Sequence, residues 1–287
     1  DILLYFVCYM ENNLITKEDI IVTLPELGET IIVLQRNAEE YRSGTKVGQL
    51  LPEAATMAYN CTTTVLTELF ASLTTTERAK VDVLVIASDP RLGVRNKIHT
   101  ESMRSIDTAK EVLRAANDAM QASTIAKKQL LNTTAVPDGG VVEISEIKTA
   151  LPIHDSPELI EFLQTKGAKN IWDNYHRDTY KTERETTGIE GPKEIAERLD
   201  NFLSCVQATK NYHVCNPNRR LVFWMVTHFD TIAPYLELIT EDLPSGTYPV
   251  DHLGGIILHI KKDASTVVTV QKNTYQTNLN FSAIITG

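Results

Sequence analysis

The chain has 287 residues, of which 43% are hydrophobic and 23% are charged, as in an ordinary globular protein. This composition excludes disordered, collagen-like and disulfide-scaffold proteins. Acidic side chains number 37 against 28 Lys plus Arg, and the net charge of −9 disfavours a nucleic-acid partner or an anionic membrane surface. The longest apolar runs, Ile31–Leu34 and Leu221–Val226, are too short to span a bilayer.

Cysteine usage indicates a reducing compartment. Cys8, Cys61, Cys205 and Cys215 form no CxxC pair, which disfavours a zinc ribbon or a thioredoxin-like site. We therefore expect free thiols and a cytoplasmic protein. No signal or transit pattern is visible at the N-terminus, although Asp1 is not a native start and a leader upstream of it is compatible with the sequence.

Apolar runs typical of buried strands alternate with amphipathic segments typical of helices. The predicted elements of the first half, in chain order, are apolar runs at Ile2–Cys8 and Ile20–Leu24, a strand at Thr30–Gln35, a helix at Pro52–Ser72, a strand at Val81–Ala87, a helix at Ser105–Gln121 and a strand at Val141–Ile147. Those of the second half are a helix that begins at Ser156, a loop or cap over Lys169–Gly191, a helix from Pro192 to about Gln207, a strand at Leu221–Thr227, a helix at Thr231–Thr240, and strands at Gly254–Lys262 and Ser265–Lys272.

This alternation predicts a three-layer α/β/α sandwich with a mostly parallel central sheet. We expect one α/β domain over residues 1–287, with cap insertions around 124–137 and 169–191 that shape selectivity. Nothing in the sequence supports a nucleotide-binding domain or a serine hydrolase, because GxGxxG, GxxxxGK[ST] and GxSxG are all missing from it.

Basic and polar side chains follow the three most apolar strands. Arg36 and Asn37 come after the first strand, Arg104 comes some way after the second, and His228 directly follows the third. Because ligands of open α/β sheets bind beyond the carboxyl ends of the strands, these side chains are expected to converge at one edge. Guanidinium groups bind phosphate oxygens bidentately, and a histidine adds a donor. The sequence therefore predicts a pocket for a phosphate dianion.

These residues resemble the histidine phosphatase superfamily (phosphoglycerate-mutase-like enzymes). That family carries Arg-His-Gly or Arg-His-Ala after its first core strand, a Ser…Arg-x-x-x-Thr-Ala segment, and a second His often found in Val-x-His-x-Asp-Thr-Ile. Over roughly Thr30 to Thr240, this chain has Arg36-Asn37-Ala38-Glu39, then Ser88 and Arg104…Thr108-Ala109, then Val226-Thr227-His228-Phe229-Asp230-Thr231-Ile232.

The resemblance implies a phosphomonoesterase acting on a small phosphorylated metabolite, with no cofactor and no metal. In the family, the first-motif His attacks phosphorus and forms a phosphohistidine. Two arginines and the second His, here Arg36, Arg104 and His228, hold the phosphoryl oxygens. A carboxylic acid protonates the leaving oxygen and later activates water.

The nucleophile position is the main departure from the family pattern, because Asn37 stands there instead of His. A carboxamide forms no such phosphoryl intermediate, so the chain as written is expected to be inactive. The Asn is either a deliberate His-to-Asn change or the mark of a natural pseudoenzyme that binds phosphate esters or a protein partner. Survival of Arg36, Arg104 and His228 favours the first explanation.

Other parts of the expected site are less well marked. The stretch Arg91–Met103 is longer than usual for the family, and Arg91 is an alternative to Arg104. Glu146 leads as the general acid, with Glu143 and Asp155 as alternatives. Arg42 and Ser43 are candidate phosphate contacts in the loop after the first motif. His252 precedes a late strand near the expected pocket mouth, and we expect no role for it.

The expected partner is a small phosphorylated substrate. The late apolar strands allow a homodimer through a sheet edge.

Overall fold

A computed structural model describes residues 20, 25–39, 41, 49–88, 104–121, 142–144, 178, 181–187, 190–206, 213, 216–240, 250–263, 265–270 and 273–280. The predicted elements at Ile2–Cys8 and Ser156 lie outside these residues, and of Ile20–Leu24 only Ile20 lies within them. Within the ranges just given, no helix is both long and apolar enough to traverse a membrane.

The described strands form one seven-stranded sheet in the order β3-β2-β4-β1-β5-β6-β7. The pairings β3–β2, β2–β4 and β4–β1 are parallel, and those from β1 through β7 are antiparallel. The strands are β1 (Thr30–Arg36), β2 (Val81–Ser88), β3 (Val142–Ile144), β4 (Arg220–Thr227), β5 (Gly255–Ile260), β6 (Ser265–Val270) and β7 (Asn273–Asn280).

Helices cover both faces of this sheet. They are α1 (Pro52–Ala71), α2 (Thr75–Arg78), α3 (Arg104–Gln121), α4 (Lys181–Thr187), α5 (Pro192–Val206) and α6 (Phe229–Ile239). Alternate residues of β1 point to opposite sides, so that Ile31 and Val33 pack with α1 and α3, whereas Ile32 and Leu34 pack with α5 and α6. Every residue of β4 is buried, as expected for a central strand covered on both faces.

The predicted α/β/α sandwich with a parallel core is confirmed, and the central strands and their helices begin and end within a few residues of the predicted positions. Three elements were not predicted. The first is the four-residue helix α2, which begins with a capping box formed by Thr74 and Glu77. Helix α4 lies inside the stretch expected to be a loop or cap, where the buried Arg184 is bonded to Asp178 at 2.8 Å. Strand β7 was missed because its sequence, NTYQTNLN, is mostly polar.

The turn before β5 brings the chain back against the end of β1. Leu253 has a positive φ of 64°, and its N–H donates to the carbonyl of Arg36 at 3.2 Å. The Arg36 N–H in turn donates to the carbonyl of Gly254 at 2.7 Å. The two strands are so close here that a side chain at Gly255 would overlap the backbone carbonyl of Leu34. Gly255 is therefore required for β5 to reach the end of β1.

Gly255→Ala is expected to lower the free energy of unfolding by about 3 kcal/mol, because backbone atoms cannot yield as a side chain would. Denaturant unfolding followed by circular dichroism measures the loss. The matched variant is Gly28→Ala: Gly28 has a φ of 84°, but its added methyl group would find no atom closer than 3.7 Å. That variant is expected to lose only about 1 kcal/mol. Equal losses in the two variants would contradict the steric explanation.

Candidate functional site

The site lies at the carboxyl edge of the parallel strands. Arg36 is the last residue of β1, Ser88 is the last of β2, and His228 follows β4 directly. Because β4 pairs in parallel with both β1 and β2, these three ends meet at one edge. Arg104, the first residue of α3, is brought to the same place, with its Nη2 3.4 Å from His228 Nδ1.

The imidazole of His228 is bonded through both of its nitrogens. Its Nδ1 lies 2.9 Å from Asn37 Nδ2, and its Nε2 lies 3.1 Å from Ser88 Oγ and 3.4 Å from Ser105 Oγ. The Asn37 amide nitrogen is a donor, so Nδ1 of the ring accepts and the ring proton lies on Nε2. The ring is thus held as the neutral Nε2–H tautomer between β1, β2 and α3.

Asn37 is almost fully buried, with 1% of its surface exposed. Its backbone N–H donates to the carbonyl of Thr227 at 2.8 Å, which extends the β1–β4 ladder by one residue. Its side-chain Nδ2 also donates to Ser105 Oγ at 3.1 Å. The carboxamide therefore occupies the centre of the site, and its amide nitrogen is held by two buried partners.

Thr108 links the segment after β1 to the start of α3 by hydrogen bonds. The N–H of Ala38 donates to Thr108 Oγ1 at 3.0 Å, and that hydroxyl donates to the carbonyl of Arg104 at 2.6 Å. Thr108 is fully buried, so both bonds form away from water. This contact docks the N-terminal turn of α3 against the residues after β1. The positive end of the α3 dipole consequently faces the site, where it favours a negatively charged ligand.

Arg36 is anchored on the other side of the site. Its Nη1 donates to the carbonyl of Val250 at 2.5 Å, and its Nη2 lies 3.2 Å from His252 Nε2. The guanidinium carbon lies 5.0 Å from the ring centre of Phe229, within range of a cation–π contact. The arginine that ends β1 is thereby held by residues from two later segments of the chain.

His252 has a strongly altered proton affinity. Burial and the charge of Arg36 lower the pKa of this histidine from 6.5 to about 4, against the weaker opposing effects of Glu39 and Asp251. Arg104 acts in the same direction as Arg36, which shows that His252 lies within the electrostatic reach of both arginines. The ring is therefore neutral at physiological pH and available as a hydrogen-bond acceptor.

The structure brings together four of the residues singled out from sequence, namely Arg36, Asn37, Arg104 and His228. Their roles stay a prediction. Glu143 lies on β3 in register with Ala87. The other predicted residues lie outside the described part of the chain: Arg42, Ser43, Arg91, Glu146 and Asp155.

Two contributors were missed from sequence. Ser105 was assigned only to a helix, although it directly follows Arg104 and bonds both Asn37 and His228. His252 was expected to play no role, but its ring lies against Arg36. A signal for Ser105 existed, since a polar residue in the first turn of a helix at a sheet edge can face the ligand. For His252 the sequence held no such signal, because its contact joins residues 216 positions apart.

Comparison with known proteins finds distant structural likeness. No family model matches the chain, and no curated protein matches it. The chain is similar to a structure described as mycobacterial hydrolase 1, with 15% identity over 86% of this chain and 100% of that chain and a TM-score of 0.48. It is also similar to a mycobacterial glucosyl-3-phosphoglycerate phosphatase in complex with VO3, with 16% identity over 87% of this chain and 98% of that chain and a TM-score of 0.42.

The native structure of the same phosphatase is similar at 15% identity, over 88% of this chain and 99% of that chain, with a TM-score of 0.40. Phosphatases are thus among the similar structures. Likeness at this level assigns no function to this chain, and the function is therefore argued from its own residues.

The lowered pKa of His252 predicts an acid-sensitive contribution to stability. As pH falls below about 6.5, the unfolded chain gains a proton at this residue, whereas the folded chain does not gain it until about pH 4. This contribution is fully present above pH 6.5 and is lost as pH falls towards 4. Allowing for solvent screening of a partly exposed ring, the loss is about 1–2 kcal/mol.

The variant His252→Gln keeps an acceptor near the position of Nε2 and does not titrate. Urea unfolding at several pH values between 7 and 4 is expected to show a smaller loss of stability in this variant than in the unchanged chain. Parallel pH profiles for the two proteins would contradict the lowered pKa.

Proposed function

We propose that this chain is a phosphomonoester hydrolase of the histidine phosphatase type, present here in a form that binds its substrate without turning it over. The observation that supports this most directly is the grouping of Arg104 and His228 around a buried Asn37, beside the anchored guanidinium of Arg36. The Arg104 guanidinium and the His228 imidazole lie together at the N-terminus of α3, with Arg36 at the end of the adjoining strand, and these groups match the charge and donor needs of a phosphate dianion.

The chemistry of this site needs a nucleophile where Asn37 stands. With a histidine there, the imidazole nitrogen would form a bond to phosphorus as the bond between phosphorus and the ester oxygen breaks in line. Arg36, Arg104 and His228 would stabilise the charge on the three equatorial oxygens throughout. Water would then attack the phosphohistidine, releasing inorganic phosphate and restoring the histidine. A carboxamide cannot complete the first step, so turnover stops at binding.

A proton must also reach the leaving oxygen, because an alkoxide is a poor leaving group at neutral pH. We propose Glu146 as the acid that supplies it and that later takes a proton from the attacking water. Glu143 and Asp155 are the alternatives. Glu143 lies on β3, which pairs with β2.

Arg42 and Ser43 are proposed as further phosphate contacts. The proposed substrate is a small phosphorylated metabolite, and the proposed location of the protein is the cytoplasm.

A non-catalytic phosphate-ester binder is the second candidate function. One observation favours it: the Asn37 amide nitrogen has hydrogen-bond partners in both Ser105 and His228, so the site is stable without a histidine. The two candidates make the same prediction for binding by the chain as written. They differ only in whether a histidine at position 37 restores turnover.

The chain as written is expected to bind inorganic phosphate, measured by isothermal titration calorimetry at low salt. Arg104→Ala is expected to weaken binding about tenfold or more, because one charge-assisted contact to the anion is lost. The matched control is Arg114→Ala, on the same helix, where the arginine pairs with Glu111 and stacks on Tyr59. Equal affinity in the two variants would contradict a phosphate pocket at Arg104.

Asn37→His is expected to release phosphate from an aryl phosphate, while the unchanged chain shows no release above background. A second substitution, His228→Ala, is expected to abolish the restored activity. Alkaline quenching of the Asn37→His protein during turnover should trap labelled phosphate on the protein, and subsequent acid treatment should release it, because the phosphorus–nitrogen bond of a phosphohistidine is stable in base and labile in acid. A restored protein that stays inert on a broad panel of phosphate esters, yet binds phosphate, would favour the non-catalytic binder.

A further inference from the structure

The turn before β5 forms hydrogen bonds with both the backbone and the side chain of Arg36. We call residues Val250–Gly254 the Arg36 loop. The loop exchanges two backbone hydrogen bonds with Arg36, at 2.7 Å and 3.2 Å, through Gly254 and Leu253. It also supplies two acceptors to the guanidinium, the Val250 carbonyl and the His252 ring nitrogen. The main-chain bonds fix the position of the Arg36 backbone, and the two acceptors restrain the orientation of its guanidinium group.

The two hydrogen bonds that the guanidinium donates restrain different parts of its orientation. The bond from Nη1 to the Val250 carbonyl restrains one side of the planar group, and the Phe229 ring lies 5.0 Å from its central carbon. A second acceptor at His252 Nε2, 3.2 Å from Nη2, fixes the plane. The plane matters because a guanidinium binds a tetrahedral anion through two parallel N–H bonds, whose direction is set by the orientation of the plane.

The hydrogen bond from Arg36 determines which tautomer of the His252 ring is present. Arginine only donates hydrogen bonds, so Nε2 of His252 must present its lone pair and the ring proton must lie on Nδ1. The loop itself holds the residue in place, since the backbone N–H of His252 donates to the Asp251 carboxylate at 2.7 Å. The positive φ of Leu253 turns the chain immediately afterwards towards β5.

We propose that His252 is a positioning residue that orients the Arg36 guanidinium for binding the phosphoryl group. This inference rests on the proposed function and deepens it, because it names a residue that acts on the anion through Arg36. It makes the Arg36 loop, which follows all three sequence motifs, part of the phosphate site.

The test is a double-mutant cycle on phosphate affinity, measured by isothermal titration calorimetry at pH 7 with inorganic phosphate and, in parallel, inorganic sulfate. His252→Phe keeps an aromatic ring and removes the acceptor, and it is expected to weaken binding about tenfold. His252→Gln restores an acceptor near the position of Nε2 and is expected to bind within about threefold of the unchanged chain. His252→Leu replaces the Phe variant if that protein does not melt cooperatively.

The second arm of the cycle separates positioning from a general structural effect. In an Arg36→Ala background, His252→Phe is expected to cause no further loss of affinity, because its only route to the anion is gone. The matched control is His259→Phe, a histidine near the opposite end of β5 that is bonded to Glu29, and it is expected to leave affinity unchanged.

The inference is overturned if His252→Phe binds like the unchanged chain, or if it loses affinity equally with and without Arg36. It is also overturned if the Gln variant binds as poorly as the Phe variant. These outcomes leave the proposed function standing so long as Arg104→Ala weakens binding. Failure of the unchanged chain to bind phosphate or sulfate at all overturns the proposed function first, and the inference with it.

Discussion

The site depends on the hydrogen bonds made by the ring of His228. Through its two nitrogens, this one imidazole joins the residue after β1, the end of β2 and the first turn of α3. Because its partners Asn37, Ser88 and Ser105 are nearly inaccessible to water, the loss of any of these contacts would leave a buried polar group without that partner. The ring is therefore both a candidate ligand of the phosphoryl group and the junction that holds the other candidates at their distances.

The parts of the structure that were predictable from sequence are those with a local pattern. Buried runs such as VDVLVIA mark the central strands, and the order of strands and helices defines the sandwich. Because parallel strands place their carboxyl ends together, Arg36, Arg104 and His228 were expected at one edge. Strand β7 was not predictable in this way, since it is an edge strand whose partner β6 supplies the ladder and only Tyr275 of its described side chains packs on the core.

The contacts between the Arg36 loop and Arg36 were not predictable because they are long-range in sequence. The local sequence places His252 just before a late strand but does not indicate that its ring contacts Arg36. Its altered pKa results from burial and from the charge of Arg36, which lies 216 positions away in the chain. The enabling residue is Gly255, because only a residue without a side chain lets β5 approach β1 closely enough to set the loop beside the arginine. A glycine at the start of a strand indicates that another backbone segment lies very close, but the local sequence does not show which segment that is.

In the proposed site, Asn37 leaves the groups that would bind a phosphoryl group in place but supplies no nucleophile to accept it. Its amide nitrogen donates to Ser105 and His228, both of which are buried. An anion placed here would meet Arg104 and the N-terminus of α3 whether or not position 37 can attack it. On the proposed function, affinity and turnover would therefore be controlled by different residues. A phosphohistidine trapped on the Asn37→His protein would show that the nucleophile alone is missing, whereas an inert protein that still binds phosphate would show that the surrounding residues serve binding itself.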